Sequence, residues 1–293
     1  MSATAKISFS VGLVLGIAIV LSIALFNRTE SSYVAQVAND EVEETVEQDV
    51  SSPIVEEVQV SAAGAYSMSG EELYSFRPDK RWPIASITKL MTALTADRLL
   101  MSEKPYELIK VTEEMVATDG NSGGFRVGEV FRVDDLIKAM MLVSSNDAAE
   151  ALAMHFGEKA YVAEMNKIAL EIGMTDTRFV DPTGLSVQNL STAEDLRRLA
   201  KYIWENEPYI FEISQAKSGV ITDRISGAGR ILTSINEFSG RADFLGGKTG
   251  NIPEAEGNLV SIFKVPERDE EVIIIVLGTA GRFAETEKIL DNL

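Results

Sequence analysis

"NLVSIFKVPERDEEVIIIVLG", residues 258–278, reads as two strands joined by a charged turn, and the second strand is apolar throughout. Such a run, bounded by Pro and charged residues, fits a buried hairpin better than a helix. At the other end of the globular part, "VQVSAAGAYSM" from Val58 alternates loosely. With "EELYSF" after Ser69-Gly70 it reads as another hairpin. Between these ends the apolar period is helical. Ile87, Leu90, Met91 and Leu94 share one face, so a buried helix begins about Ser86. Further helices are expected over Val133–Leu142, Ala148–Phe156, Tyr161–Ile172 (stopped by Gly173) and Thr192–Trp204, and a last one over Phe283–Leu290. Strands at both ends of a helical middle imply an α+β fold, an antiparallel sheet with helices packed on it.

Outside that region the chain changes character. Ile7–Phe26 carries no charged residue, and a bilayer core needs about 20 apolar residues as a helix. Residues 1–28 are therefore expected to be an N-terminal transmembrane anchor, with a cleaved signal peptide as the alternative. Lys6 precedes the span and an acidic stretch follows Arg28, so the positive-inside tendency puts the rest of the chain outside the cytoplasm. Thr29–Glu57 holds nine acidic residues and no basic ones, the pattern of a solvated, flexible linker. Residues 58–293 remain as the expected globular domain. The net charge of −18 argues against nucleic acid as a partner, since phosphate is repelled by such a surface. Without cysteine, thiolate catalysis and cysteine-ligated metal are excluded.

The chain has one histidine, His155, on an apolar helical stretch. It reads as a core or helix-end residue, which leaves no imidazole for a Ser-His-Asp triad and argues against a histidine-rich zinc site. Lysine can do the same work. In "PIASITKLMTAL", Pro83–Leu94, Ser86 and Lys89 stand three apart on one helical surface. At a pKa of about 10.4 only ~0.04% of a lysine is neutral at pH 7, so burial and a second cation are needed to make it a base. Ser86 as a simple N-cap is the plainer reading, but a capping box wants Glu or Gln at position 89. Taken alone the spacing is weak, because Ser214 and Lys217 repeat it.

Two further motifs sharpen the reading. "SSND" breaks two helices and projects Ser144 and Asn146 from one turn, although Ser234-Ile235-Asn236 has the same spacing. "GGKTGN", Gly246–Asn251, precedes a predicted strand and offers Lys248 as the second cation and Thr249 as a hydroxyl. Its Gly250 would let a substrate backbone lie against the strand edge. A phosphate-binding loop is excluded by Ala242, where that motif needs glycine, and by the strand that follows.

Ser-x-x-Lys, Ser-x-Asn and Lys-Thr-Gly in this order are the motif set of penicillin-binding proteins and class A β-lactamases. From Val58 to Leu293 the sequence resembles the low-molecular-mass penicillin-binding proteins, the serine D-Ala-D-Ala carboxypeptidases. The segments that carry the likeness are "RWPIASITKLMTAL", "LVSSNDAAEALA", "MNKIALEIGMTDTRFVDPTGL", "STAEDL", "GGKTG" and "IIIVLGTAGR". The resemblance implies the β-lactamase/DD-peptidase-like fold, with an all-helical subregion beside the sheet, and hydrolysis of the terminal D-Ala-D-Ala bond of peptidoglycan stem peptides. It implies Ser86 as nucleophile, Lys89 as general base and Ser144 as proton relay. Asn146 would bind the penultimate amide, Lys248 would keep the site electropositive, and Thr249 and Arg282 would hold the substrate carboxylate. The backbone N–H groups of Ser86 and Asn251 would form the oxyanion hole. No metal or organic cofactor is implied, and β-lactams are expected as covalent inhibitors. Some members cut cross-links, so DD-endopeptidase activity is the alternative. A β-lactamase is disfavoured because no Glu-x-x-x-Asn segment lies between Asn146 and Lys248. An inactive wall-binding module is the remaining rival, and the three intact motifs speak against it.

Overall fold

The computed structural model describes residues 58–101, 106–118, 120, 123–266 and 268–293. The anchor and linker expected over residues 1–57 lie outside these, and no helix among the described residues is long and apolar enough to cross a membrane. In chain order the strands are β1 (Ala62–Ser67), β2 (Glu72–Phe76), β3 (Trp82–Pro83), β4 (Leu108–Lys110), β5 (Val130–Arg132), β6 (Leu190–Ser191), β7 (Ser218–Thr222), β8 (Gly229–Thr233), β9 (Phe244–Ile252), β10 (Glu256–Lys264) and β11 (Glu271–Thr279). The helices are α1 (Thr88–Ala96), α2 (Val133–Val143), α3 (Asn146–Phe156), α4 (Glu158–Glu171), α5 (Ala193–Asn206), α6 (Tyr209–Gln215) and α7 (Arg282–Leu290).

One five-stranded antiparallel sheet, ordered β2-β1-β11-β10-β9, carries the architecture. The apolar run of β11 follows from its central place, since both of its faces are covered. Ile273, Ile275 and Leu277 pack with Leu90, Met91, Leu136 and Leu196 of the helical side. The alternate residues Val272, Ile274 and Val276 pack with Phe238, Phe244 and Ile289 on the opposite face. The α+β expectation is met, and both predicted hairpins are present.

Sequence and structure part company at several places. "GGKTGN" does not precede a strand but lies inside β9. The alternation expected of a strand is missing there because neighbouring backbone fills the side-chain space. A Cβ at Gly246 would lie 2.6 Å from the Phe211 carbonyl oxygen, and one at Gly247 2.4 Å from that of Val260. The β7–β8 hairpin, joined from Ser218↔Thr233 to Thr222↔Gly229, was also not anticipated. Finally, α1 does not start at Ser86; a 3-10 turn over Ala85–Ile87 leads into it.

Candidate active site

Ser86 sits in that 3-10 turn, and its side chain makes no capping bond to either helical segment. The simple N-cap reading is therefore wrong. Ala85, just before it, has φ +48°, a left-handed conformation that costs a non-glycine residue on the order of 1–3 kcal/mol. Every residue of α1 is buried, so packing rather than capping fixes the helix. One turn beyond Ser86, fully buried Lys89 places Nζ 3.0 Å from Ser86 Oγ, 2.7 Å from Asn146 Oδ1 and 2.5 Å from the Thr183 carbonyl oxygen.

The break between α2 and α3 is shorter than "SSND" suggested, only Ser144 and Ser145. Ser144 ends α2 in the left-handed region (φ 57°, ψ 36°), and Ser145 caps α3 by accepting from the Ala148 N–H. The middle residue thus starts the helix while its neighbours serve the cleft. Asn146 meets Lys89, and Ser144 Oγ lies 2.9 Å from Lys248 Nζ. Lys248 also donates to its neighbour's carbonyl, Thr249 O, at 2.7 Å. Strand β9 is held against α6 by Ser214 Oγ, which accepts from the Gly247 N–H at 2.9 Å.

Enclosure dominates the electrostatics. Burial pulls the Lys89 ammonium down from its ordinary value to about 7, against the opposing carboxylates of Asp181 and Glu150. Lys248 is pushed well below its usual range, first by burial, then by the Lys89 ammonium and then by Arg282. The second lysine expected from sequence is present, but it is not what lowers Lys89, where burial alone does so; the repulsion between the two is felt at Lys248. Arg282, the first residue of α7, is itself lowered by burial, partly offset by Glu237. Its Nε is buried without a hydrogen-bond partner among the described residues.

Lys89 is the informative centre. Two of its three neighbours are carbonyl oxygens, which only accept hydrogen bonds; the third is a hydroxyl, which can donate or accept. A neutral amine here gives its two N–H groups to Asn146 Oδ1 and Thr183 O and turns its lone pair to the Ser86 proton. The arrangement can therefore activate a serine without histidine.

The structure brings Ser86, Lys89 and Asn146 together by direct hydrogen bonds, and Ser144 with Lys248. Thr249 follows Lys248 on β9 and is 5% exposed, while Asn251 lies exposed toward the end of that strand. At Gly250 a Cβ would lie 2.6 Å from the Ile84 carbonyl oxygen and 3.2 Å from the Ile87 nitrogen, while β9 itself is an edge strand of the sheet. Glycine at this position lets β9 close on the turn that carries Ser86. The duplicate motifs are diverted. Ser214 is buried and bonds backbone, whereas Lys217 is exposed. Ser234 bonds Ser239 and the Asn236 N–H in a local turn. His155 ends α3 paired with Glu107 at 2.8 Å. Sequence reasoning missed the Thr183 carbonyl; the turn signature "DPTG" was its one available signal.

Comparison with known proteins identifies the family. Residues 51–281 match the family model of peptidase S11, D-alanyl-D-alanine carboxypeptidase. A D-alanyl-D-alanine endopeptidase of Escherichia coli (strain K12) is 43% identical over 155 residues, 51% of this chain and 48% of the relative. The endopeptidase of Haemophilus influenzae is 34% identical over 219 residues, 71% of this chain and 72% of the relative. The chain spans about half the length of the first of these, 48%, and of the Pseudomonas aeruginosa endopeptidase, 43%. Among solved structures, penicillin-binding protein D2 from Listeria monocytogenes in its ampicillin-bound form is 32% identical with a TM-score of 0.68, covering 80% of this chain and 96% of that one. With its fold, its three motifs and the match over residues 51–281, the chain belongs to the D-alanyl-D-alanine carboxypeptidase family.

Proposed function

We propose that the chain is a serine DD-carboxypeptidase that removes the terminal D-alanine of peptidoglycan stem peptides through an acyl-enzyme. The observation that carries this reading is the Lys89 amine, buried and held by two carbonyl acceptors with Ser86 Oγ as its third neighbour. Ser86 Oγ attacks the D-Ala-D-Ala carbonyl and its proton passes to Lys89. The oxyanion takes hydrogen bonds from the backbone N–H groups of Ser86 and Asn251, typically worth about 3–4 kcal/mol for such a donor. The C–N bond then breaks as the leaving nitrogen takes a proton through Ser144, which is bonded to Lys248. Water hydrolyses the resulting ester and frees Ser86. Asn146 holds the penultimate amide; Lys248, Thr249 and Arg282 receive the terminal carboxylate. The unpartnered Nε of Arg282 supports that last role. A β-lactam presents the same terminus and acylates Ser86.

Mass analysis of products from a pentapeptide wall fragment tests the reading, with loss of one alanine expected. Release of cross-linked stems instead selects DD-endopeptidase action, the second reading, which is favoured by the names of relatives 43% and 34% identical. Labelling by a fluorescent penicillin, lost in Ser86→Ala, separates both from an inactive wall-binding module; rapid turnover of the penicillin would indicate a β-lactamase. The same reading puts the catalytic domain outside the cytoplasm of a bacterial cell, tethered by a single pass through Ile7–Phe26. Supporting it are the location of peptidoglycan and the uncharged run itself. Protease cleavage of the domain in intact spheroplasts tests the orientation.

A further inference from the structure

The segment after α4 folds around one carboxylate. Asp181 Oδ1 accepts from the Thr183 N–H at 2.8 Å, the Thr183 hydroxyl at 2.7 Å and the Gly184 N–H at 2.6 Å. Its Oδ2 accepts from the Ser186 N–H at 2.9 Å. Asn189 closes the loop. Its Oδ1 accepts from the Val180 N–H at 2.7 Å, and its Nδ2 donates to the Asp181 carbonyl at 3.2 Å.

This loop is bonded to α1 at three places around the catalytic pair. Asn189 Nδ2 donates to Thr88 Oγ1 at 3.2 Å, Lys89 Nζ to Thr183 O at 2.5 Å, and Thr92 Oγ1 to Pro182 O at 2.6 Å. Gly184, at φ +86°, presses on the nucleophile's own turn. A Cβ there would lie 2.0 Å from Ala85 O and 2.8 Å from Ser86 N. The backbone gathered by one carboxylate therefore touches both members of the pair.

We propose that Asp181 is a positioning residue for the serine–lysine pair, fixing the Thr183 carbonyl against the Lys89 amine and Gly184 against Ser86. This rests on the proposed roles of Ser86 and Lys89. With Thr183 O and Asn146 Oδ1 both fixed, the amine has one direction left for its lone pair, toward Ser86. Asp181 also bears on the proton balance. The charged groups acting on Lys89 are Asp181 from the loop and Glu150 from α3, and those acting on Lys248 of β9 are Lys89 from α1 and Arg282 from α7. Asp181 and Glu150 favour the ammonium, while burial opposes it.

Asp181→Asn tests this. The amide oxygen can take the place of Oδ1 and keep its three bonds, while the charge and the bond to Ser186 are lost. The Lys89 titration is read in two ways: the pH midpoint of acylation by a fluorescent penicillin, and the Lys89 Cε shift in a ¹³C-lysine NMR titration. In Asp181→Asn both midpoints should move to lower pH by about 0.5 unit or more, because a carboxylate that favoured the charged form is gone. In Asp181→Ala, which frees the whole backbone nest, the plateau acylation rate should fall roughly tenfold or more. Asp223→Asn is the control. Asp223 likewise gathers the N–H groups of Val130, Ile225 and Ser226, but in another loop, and its loss should leave both midpoints in place. An unmoved or raised Lys89 midpoint in Asp181→Asn overturns the proposal, whatever happens to the rate. Asp181→Ser serves the same purpose if the amide variant does not fold. Wild-type protein that takes no penicillin at any pH removes the functional reading instead, and the NMR midpoint still decides the role of Asp181.

Discussion

Replacing Gly250 by alanine tests the packing of strand β9 on the nucleophile's turn. The added Cβ falls 2.6 Å from the Ile84 carbonyl oxygen, at least 0.4 Å inside the 3.0 Å that such atoms keep. The obstacle is backbone on one side and an edge strand on the other, so β9 must move outward or the Ile84–Ile87 turn inward. Overpacking of this kind costs about 1–3 kcal/mol. Function should suffer as well, because Lys248 rides on β9 and Ser86 on the turn; a displacement near 1 Å can cost ~100-fold in rate. A movement of roughly half that size should lower acylation by a fluorescent penicillin about tenfold, with a lower urea midpoint. Gly229→Ala, whose Cβ meets only an ordinary 3.5 Å contact, should change neither. A Gly250→Ala protein that acylates within twofold of wild type at an unchanged urea midpoint would refute the argument.

Acylation by wild type should rise with pH through about 7, where Lys89 loses its proton, and fall tenfold per unit below; stopped-flow rates between pH 5 and 9 read this directly. Lys89→Arg should abolish labelling at every pH in that range, because a guanidinium stays charged. Removing the α3 cap with Ser145→Ala should cost about 1 kcal/mol in urea unfolding. Glu150, raised to about 7 chiefly by burial and also by Glu158 and Asp181, binds its proton more tightly folded than unfolded. Stability attributable to it is present below about 4.5 and lost as pH rises through 7, so Glu150→Gln should be more stable than wild type at pH 8 and lose that advantage below pH 4.5. Urea midpoints at the two pH values check the sign.

The fold was legible where burial and periodicity coincide. The apolar "VIIIVLG" was read correctly because a central strand covered on both faces imposes that run, and the Leu90-Met91-Leu94 spacing located a buried helix. The grouping of Ser86 with Lys89 and Asn146 was legible too, because hydroxyl, amine and amide are side-chain properties at fixed spacing. What stayed hidden depends on backbone meeting backbone. Gly246, Gly247 and Gly250 look like a loop, and their meaning lies in Phe211, Val260 and Ile84, which no local pattern connects to them. The Thr183 carbonyl was invisible for the same reason, since any residue type can supply a main-chain oxygen.

The pairing of Ala62 with Leu277 has a consequence for biosynthesis. The first strand of the sheet pairs early with β2, but finds its second partner, β11, only after nearly the whole domain has been made, and within the sheet β9 joins it through β10 and β11. Long-range closure of this sort is slow and comes late. A nascent chain would carry Ser86 and Lys89 for most of synthesis with no enclosure to neutralise the amine. The Ser86–Lys89 pair is thus completed late, once the sheet that encloses it has closed.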